Sequence, residues 1–380
     1  MYDETITLII KLTEKCNLNC QYCFLDFGDS KRQESISIDT VDLLFKKILS
    51  AKRPPKLIDC IWHGGEPLLF NLNEFKNIIQ IQNVLKIRHN NDLLFKNSIQ
   101  TNGTLINQSW IDFFKQNRFE IGVSIDYPSE YHNRVRTGKS NCDFKSIKVN
   151  LEVLIKNGIN AGAITVISNQ NIHLIAEIYN FFKQVKIPFR PNIYFPDNFV
   201  QDDELVIPPK TYSKYLTKLF DLWYFDESPI TIDIFEDIIY SMVTKKVRAC
   251  IFSGECYKYL SVRPSGDIYI CDRFNTDDFK VGRVKDLNLE NLETNTTIRK
   301  FKDRISHLKK CSKCEWMNIC NGGCPTYSYS FKNTIFEPDY YCEARKDIFN
   351  HIYNLLIKDS NHGNKRLISE RIEKNQQTVN

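Results

Sequence analysis

Apolar and polar positions along the first half of this chain alternate between two rhythms. Short apolar runs at residues 5–12, 57–62, 120–125, 161–167 and 189–194, and one ending at 98–103, read as strands. Between them, residues 39–51, 73–87, 107–117, 143–157 and 171–184 carry apolar side chains at helical spacing. The first of these helices opens at Asp39 as an acidic N-cap and lines up Val41, Leu43, Leu44, Ile48 and Leu49. The one at 143–157 has Asp143 as N-cap and Gly158 as its left-handed terminator. Six strand–helix alternations predict an α/β fold over residues 1–200. Its parallel sheet has right-handed crossovers and curves into an incomplete barrel, with chemistry at the carboxyl ends of the strands.

The rhythm changes near residue 196. Pro208-Pro209 opens an amphipathic helix through Trp223, and a second helix spans 232–246, so residues 201–248 read as a helical bridge. Residues 249–358 look loop-rich, with a hairpin at 260–263 and 267–271 around Pro264-Ser265-Gly266. A segment this poor in apolar residues is expected to need metal as a staple. Residues 359–380 read as a polar tail, a frayed helix or disordered.

Composition narrows the class. The 380 residues are 42% hydrophobic and 26% charged, as in soluble globular proteins. No apolar run approaches the ~18 residues of a membrane span, and the first residues lack the features of a signal peptide. A cytoplasmic location without membrane partners is expected. The formal charge of +5 counts every thiol as neutral, and no Lys/Arg run concentrates it on one face, so nucleic-acid binding is not expected.

Thirteen cysteines without an export signal argue for metal over disulfides. Cys16, Cys20 and Cys23 follow the first strand with spacing C-x3-C-x2-C. Three thiolates leave one iron of a cubane cluster open to a small molecule; an incomplete zinc loop is the alternative. Cys250, Cys256 and Cys271 precede Cys311, Cys314, Cys320, Cys324 and Cys342. Eight thiols suffice for two fully ligated cubanes or two four-thiolate zinc sites. Cys60 and Cys142 are left over as small hydrophobes. The cysteine loop, Gly64-Gly65-Glu66-Pro67 and Asp126 all fall at carboxyl ends of predicted strands.

Cys16-x3-Cys20-x2-Cys23 with Gly64-Gly65-Glu66-Pro67 resembles the radical SAM enzymes. Cys256-x9-Gly266-x4-Cys271 with the later cysteines resembles their SPASM extension. The resemblance spans roughly residues 5 to 345. It implies a partial (β/α)6 radical SAM barrel, the helical bridge and a C-terminal SPASM iron–sulfur domain, with S-adenosylmethionine (SAM) and three [4Fe-4S] clusters as cofactors. Cys16, Cys20 and Cys23 would hold the SAM-binding cluster. Cys250, Cys256, Cys271 and Cys324 would hold one auxiliary cluster, and Cys311, Cys314, Cys320 and Cys342 the other. Tyr22 would lie against the adenine, and Gly64 and Gly65 would let backbone approach the methionyl ammonium, with Glu66 as an acceptor before Pro67. Ser124 and Arg136 would contact SAM's polar groups, Arg136 pairing with its carboxylate. Asp272 matches a general base proposed for sulfatase-maturing members.

Such enzymes mostly act on peptides or proteins, with electrons from a donor such as flavodoxin or ferredoxin. Residues 11–16, 62–65 and 219–223 resemble maturases of ribosomal peptides, so the first expectation is a carbon–carbon or thioether cross-link. Fifteen residues before Cys16 are too few for an N-terminal leader-binding domain, which points to a separate leader-binding protein, another surface or no leader. The second expectation is an anaerobic sulfatase-maturing enzyme, which oxidises Cys or Ser to formylglycine. His63 where that group usually has glutamine, and Tyr127 where glycine usually follows the aspartate, depart from it. A non-catalytic iron–sulfur electron carrier is the alternative outside enzymes.

Overall fold

Alternation along the strands is the clearest feature of the computed structural model, which describes residue 2 and residues 4–25, 34–89, 92–138, 142–196, 203–274 and 276–361. Its strands are β1 (Thr5–Thr13), β2 (Leu18–Cys20), β3 (Leu57–Gly64), β4 (Leu94–Thr101), β5 (Glu120–Ser124), β6 (Arg136–Gly138), β7 (Asn160–Ile167), β8 (Phe189–Ile193), β9 (Tyr259–Val262), β10 (Asp267–Ile270) and β11 (Lys280–Arg283). The six strands expected of the barrel are present as β1, β3, β4, β5, β7 and β8. The result is a mixed α/β fold on a parallel-strand sheet.

The chain divides into two compact units, Met1–Ile164 with Glu255–Lys302, and Thr165–Gly254 with Asp303–Asn380. In the first unit the strand order is β11-β10-β9-β1-β3-β4-β5-β7, and β1, β3, β4, β5 and β7 run parallel. Ile6, Leu8, Ile10 and Leu12 of β1 and Ile58, Cys60 and Trp62 of β3 turn to the helices and are fully buried. Cys60 is thus the small apolar side chain that its sequence context suggests. Trp62 stacks edge-on against Phe75, which also meets Trp110, Phe113 and Phe119. Burial of each such ring is worth about 2–3 kcal/mol. The opposite positions carry Thr7, Lys11, Asp59, His63, Ser98, Gln100 and Ser124 with Ile9 and Ile61 among them, a mostly polar face.

Helix Phe144–Lys156 starts as expected: Asp143 accepts from Ser146 N–H (3.1 Å), and Gly158 follows it at φ +75°. Helix Ile38–Leu49 differs. Its N-cap is Ser37, which accepts from Thr40 N–H (3.1 Å), and Asp39 sits in the first turn, where it still complements the helix dipole.

The expected domain limits, 1–200, 201–248 and 249–358, do not match this division. The hairpin places β9 in parallel register with β1, Ile9 opposite Ser261. An edge strand with unpaired backbone groups captures another strand readily, so residues 255–302 join the first unit. Nor is the C-terminal third short of a core. Leu260, Val262, Ile268, Ile270, Phe274, Phe279 and Phe301 are buried in the first unit, with the last three rings clustered.

In the second unit, helices Pro209–Tyr224, Asp233–Thr244 and Cys342–Asn361 carry much of the apolar core, including Phe220, Trp223 and Phe235. Helix Cys342–Asn361 runs past residue 359, and the remainder of the expected tail lies outside the described residues. Among the described residues no helix is long and apolar enough to cross a membrane.

Candidate active site

The cysteine loop leaves the end of β1 and is pinned at three places. β2, inside the loop, pairs antiparallel with β6, so that Cys20 faces Arg136 and Leu18 faces Gly138. A Cβ on Gly138 would sit 2.9 Å from the Asn17 carbonyl oxygen, a backbone atom that cannot turn aside, so glycine is favoured there. Asn17 donates to Thr104 Oγ1 (2.8 Å) and accepts from Asn102 Nδ2 (2.9 Å), tying the loop to the end of β4. Gly64 and Gly65 supply the third anchor: Gly65 N–H donates to Thr13 C=O and Glu66 N–H to Lys15 C=O, both at 2.8 Å. A Cβ on either glycine would come within 2.3 Å of those carbonyl oxygens, and Gly64 lies at φ +141°. In this structure the two glycines permit close approach of β3 to residues 13–15.

Cys16 and Cys23 are exposed and Cys20 is half-buried. Burial of the sulfur, with Glu66 and Cys23 adding to it, pushes Cys16 up to about 11, and burial with Cys23 and Cys16 pushes Cys20 up to about 12, with Arg136 opposing the rise at Cys20. Two thiols that resist ionising, Cys16 and Cys20, with Cys23 beside them, suit a site in which a bound cation reverses the balance.

Glu66 is fully buried. One carboxylate oxygen accepts from Thr101 Oγ1 (2.7 Å) and Leu68 N–H (3.0 Å), the other from Asn102 N–H (2.7 Å). Burial raises its pKa to about 7 while those donors pull it down. It caps the short turn Pro67–Leu69 and braces the β4 end. Ser124, at the end of β5, accepts from Gln100 Nε2 (2.9 Å), and Gly122 makes room for that amide.

Asp126 is the hub of a second network. It accepts from Arg136 Nε (2.9 Å) and from the Tyr22 hydroxyl, while the Arg136 guanidinium lies 5.2 Å from the Tyr22 ring centre. Burial opposes the charge on Arg136, but Asp126 more than restores it, so Arg136 stays cationic. His132, absent from the sequence reading, accepts from Asp126 N–H at Nδ1 (3.1 Å).

Asp272 is buried on the polar face. Its Oδ1 is 2.9 Å from Lys11 Nζ and 3.2 Å from Ser261 Oγ; its Oδ2 is 3.8 Å from His63 Nδ1. Burial would raise the carboxyl, but Lys11, His63 and Ser261 hold it below the usual range. Lys11 and His63 are direct neighbours in the β1–β3 ladder.

In the second unit, Cys311, Cys314, Cys320 and Cys342 line one small cavity with Trp316, Asp339 and Arg345. Arg345 is buried, pairs with Asp339 (3.0 Å), and has no acceptor for its Nε. A cationic wall and an orphaned donor beside four thiols fit a sulfide-rich anionic group. No three Cys, His, Asp or Glu side chains among the described residues are placed to hold a single metal ion. Of the other expected set, Cys256 and Cys271 lie in the first unit and Cys250 and Cys324 in the second.

Residues 10–182 match the Radical SAM superfamily, and residues 250–315 match the SPASM iron–sulfur cluster-binding domain. A cysteine-type anaerobic sulfatase-maturating enzyme of Clostridium perfringens is 29% identical over 94% of this chain and 99% of its own length. A serine-type enzyme of Bacteroides thetaiotaomicron is 26% identical over 89% of this chain and 86% of its own. The solved structure of anSMEcpe with bound AdoMet and the Cp18Cys peptide superposes with a TM-score of 0.81 at 27% identity, covering 94% of this chain and 99% of that one. Streptococcus suis SuiB bound to its precursor peptide SuiA shares the fold, with a TM-score of 0.65 at 16% identity over 90% of this chain and 76% of that one.

Proposed function

The chain is a radical SAM enzyme with a SPASM domain, and on that premise we propose that it is an anaerobic sulfatase maturase that oxidises a cysteine of its protein substrate to formylglycine. The observation that carries this reading is end-to-end similarity to a cysteine-type maturase, 94% of one chain against 99% of the other. The first expectation, a cross-link in a ribosomal peptide, rested on segments whose bulky residues have structural duties. Trp62, Leu219, Phe220 and Trp223 are all buried. His63 in place of glutamine is the feature that keeps cross-linking as the second reading.

When bound, SAM and its cluster supply a hydrogen-abstracting 5′-deoxyadenosyl radical. In this proposal Cys16, Cys20 and Cys23 hold that cluster and leave one iron open. The Tyr22–Asp126–Arg136 network, Ser124 and the braced Gly64–Pro67 segment orient SAM. Cys311, Cys314, Cys320 and Cys342 hold one auxiliary cluster, one of the three clusters that the family resemblance implies. Asp272, pinned by Lys11, serves the proton removal that accompanies oxidation. A flavodoxin or ferredoxin supplies the first electron, in the reducing cytoplasm that free thiols require. A leader-binding partner belongs only to the cross-linking reading.

The test is anaerobic turnover of reconstituted enzyme with SAM, dithionite and a peptide carrying a sulfatase active-site cysteine. An aldehyde captured by a hydrazide, formed together with 5′-deoxyadenosine, is the expected product. Loss of two hydrogens without an aldehyde would replace this reading with cross-linking. Absence of 5′-deoxyadenosine would leave only the electron carrier.

A further inference from the structure

On the polar face of the first unit's sheet, the carboxylate expected to act as base is less available than the histidine beside it. Asp272 is 7% exposed, and its Oδ1 is engaged by both Lys11 and Ser261. Its other oxygen is turned toward His63, whose Nδ1 has no hydrogen-bond partner at 3.8 Å from it. The His63 side chain is 21% exposed against 9% for Asp272 and 4% for Lys11. The strands enforce this arrangement. Lys11 and His63 are ladder partners across β1 and β3, and Ser261 faces Ile9 across β9 and β1. Hydrogen bonds of this kind are often long before substrate binds and shorten in the complex.

We propose that His63 is the proton acceptor for substrate oxidation, and that Asp272, clamped by Lys11 and Ser261, is a positioning residue that orients the imidazole. The proposal rests on the maturase reading above and deepens it. With Nδ1–H directed at Asp272 Oδ2, the ring presents Nε2 as the accepting nitrogen, the division of labour in which a carboxylate fixes a histidine tautomer. Burial also favours the neutral, accepting form of His63, against the pull of Asp272 and with the help of Lys11. For a substrate cysteine the balance is complete. One hydrogen atom leaves Cβ to give 5′-deoxyadenosine, and the thiol proton passes to His63 Nε2. One electron passes to an oxidised auxiliary iron–sulfur cluster, and a C=S bond forms. Water then replaces sulfur, releasing hydrogen sulfide and leaving the aldehyde.

The experiment compares the holoenzyme with His63→Ala and Asp272→Asn, each checked for iron content and for SAM cleavage, and reads the ratio of peptide product to 5′-deoxyadenosine. The ratio refers to whichever product the parent enzyme makes, so an aldehyde-free parent refutes the maturase reading without deciding the role of His63. His63→Ala should lower the ratio about a hundredfold, and added imidazole should restore part of it. Asp272→Asn should lower it less. It should also slow carbethoxylation of His63 by diethyl pyrocarbonate, followed by mass spectrometry, because an unoriented ring is a poorer nucleophile. An unchanged ratio in His63→Ala overturns the proposal. So does complete loss in Asp272→Asn with His63 labelling unaltered, since the aspartate would then be the base. If His63→Ala fails to assemble, His63→Phe and the labelling of Asp272→Asn decide the question on the same terms.

Discussion

Cys16 and Cys23 stand exposed on a loop held from behind, whereas Cys311, Cys314, Cys320 and Cys342 surround a cavity closed by Arg345 and Asp339. The first set is braced mostly by backbone and neutral amides, Gly65 to Thr13, Glu66 to Lys15, Asn17 to Asn102 and Thr104, with one buried ion pair, Arg136–Asp126, beside Cys20. The second is braced by buried charge. Arg304 donates to the carbonyls of Asn321, Gly322, Gly323, Ile335 and Glu337, and Asp339 accepts from Cys324 N–H. An open site needs one face clear for a ligand, so its support comes from one side. A site that only stores and passes electrons is better enclosed, with cationic groups to offset the cluster's charge.

The sharpest way to break this contrast is to remove one set of thiols and leave the other. Replacing Cys16, Cys20 and Cys23 with Ala should abolish 5′-deoxyadenosine formation while about two-thirds of the iron stays bound, as two of three cubanes would remain. Full SAM cleavage by that variant would contradict the assignment of the open site. The next largest effect is expected in the closed one. Arg345→Met leaves the Asp339 carboxylate buried without its partner, a loss of about 3–5 kcal/mol. Thermal release of iron, followed by cluster absorbance, should then begin well below the parent's transition. An unaltered transition would mean that the cavity does not depend on charge.

Much of this was legible from the sequence, for a physical reason. Parallel strands that pack helices on one face and line a site on the other alternate strictly, so β1, β3 and the helix Phe144–Lys156 with its Asp143 cap could be placed from pattern alone. The motif residues fell at strand ends because that is where a parallel sheet exposes its loops. What escaped were pairings between distant residues with no periodic signal. Lys11 meets Asp272 only because β9 attaches to β1. β2 and β6 are three residues each, too short for any rhythm. The choice between cross-linking and formylglycine formation was not legible either: residues 62–65 and 219–223 resemble ribosomal-peptide maturases, yet their Trp62, Phe220 and Trp223 are core. His132 lies in no motif and carried no sequence signal.

That histidine provides the smallest and most specific test of how the open site is braced. Its Nδ1 accepts from Asp126 N–H (3.1 Å), and its Nε2 lies 3.3 Å from the Cys142 carbonyl, to which it can donate. The first contact requires the neutral ring, because a proton on Nδ1 would face the Asp126 N–H donor, whereas Nε2 donates in either state. Burial and the Arg136 charge lower its pKa from 6.5 to about 4, and Asp126 only partly offsets them. The folded protein therefore binds fewer protons here than the unfolded chain between those two values. The contribution to stability is fully present above pH 6.5, declines as pH falls, and is lost by about pH 4. A shift of that size corresponds to about 3 kcal/mol. His132→Asn places an amide oxygen where Nδ1 was and cannot titrate. Its denaturation midpoint should therefore fall less steeply than the parent's between pH 6.5 and 4. If the two proteins lost stability in parallel over that interval, His132 would not be the group that couples Asp126, and with it Tyr22 and Arg136, to acid.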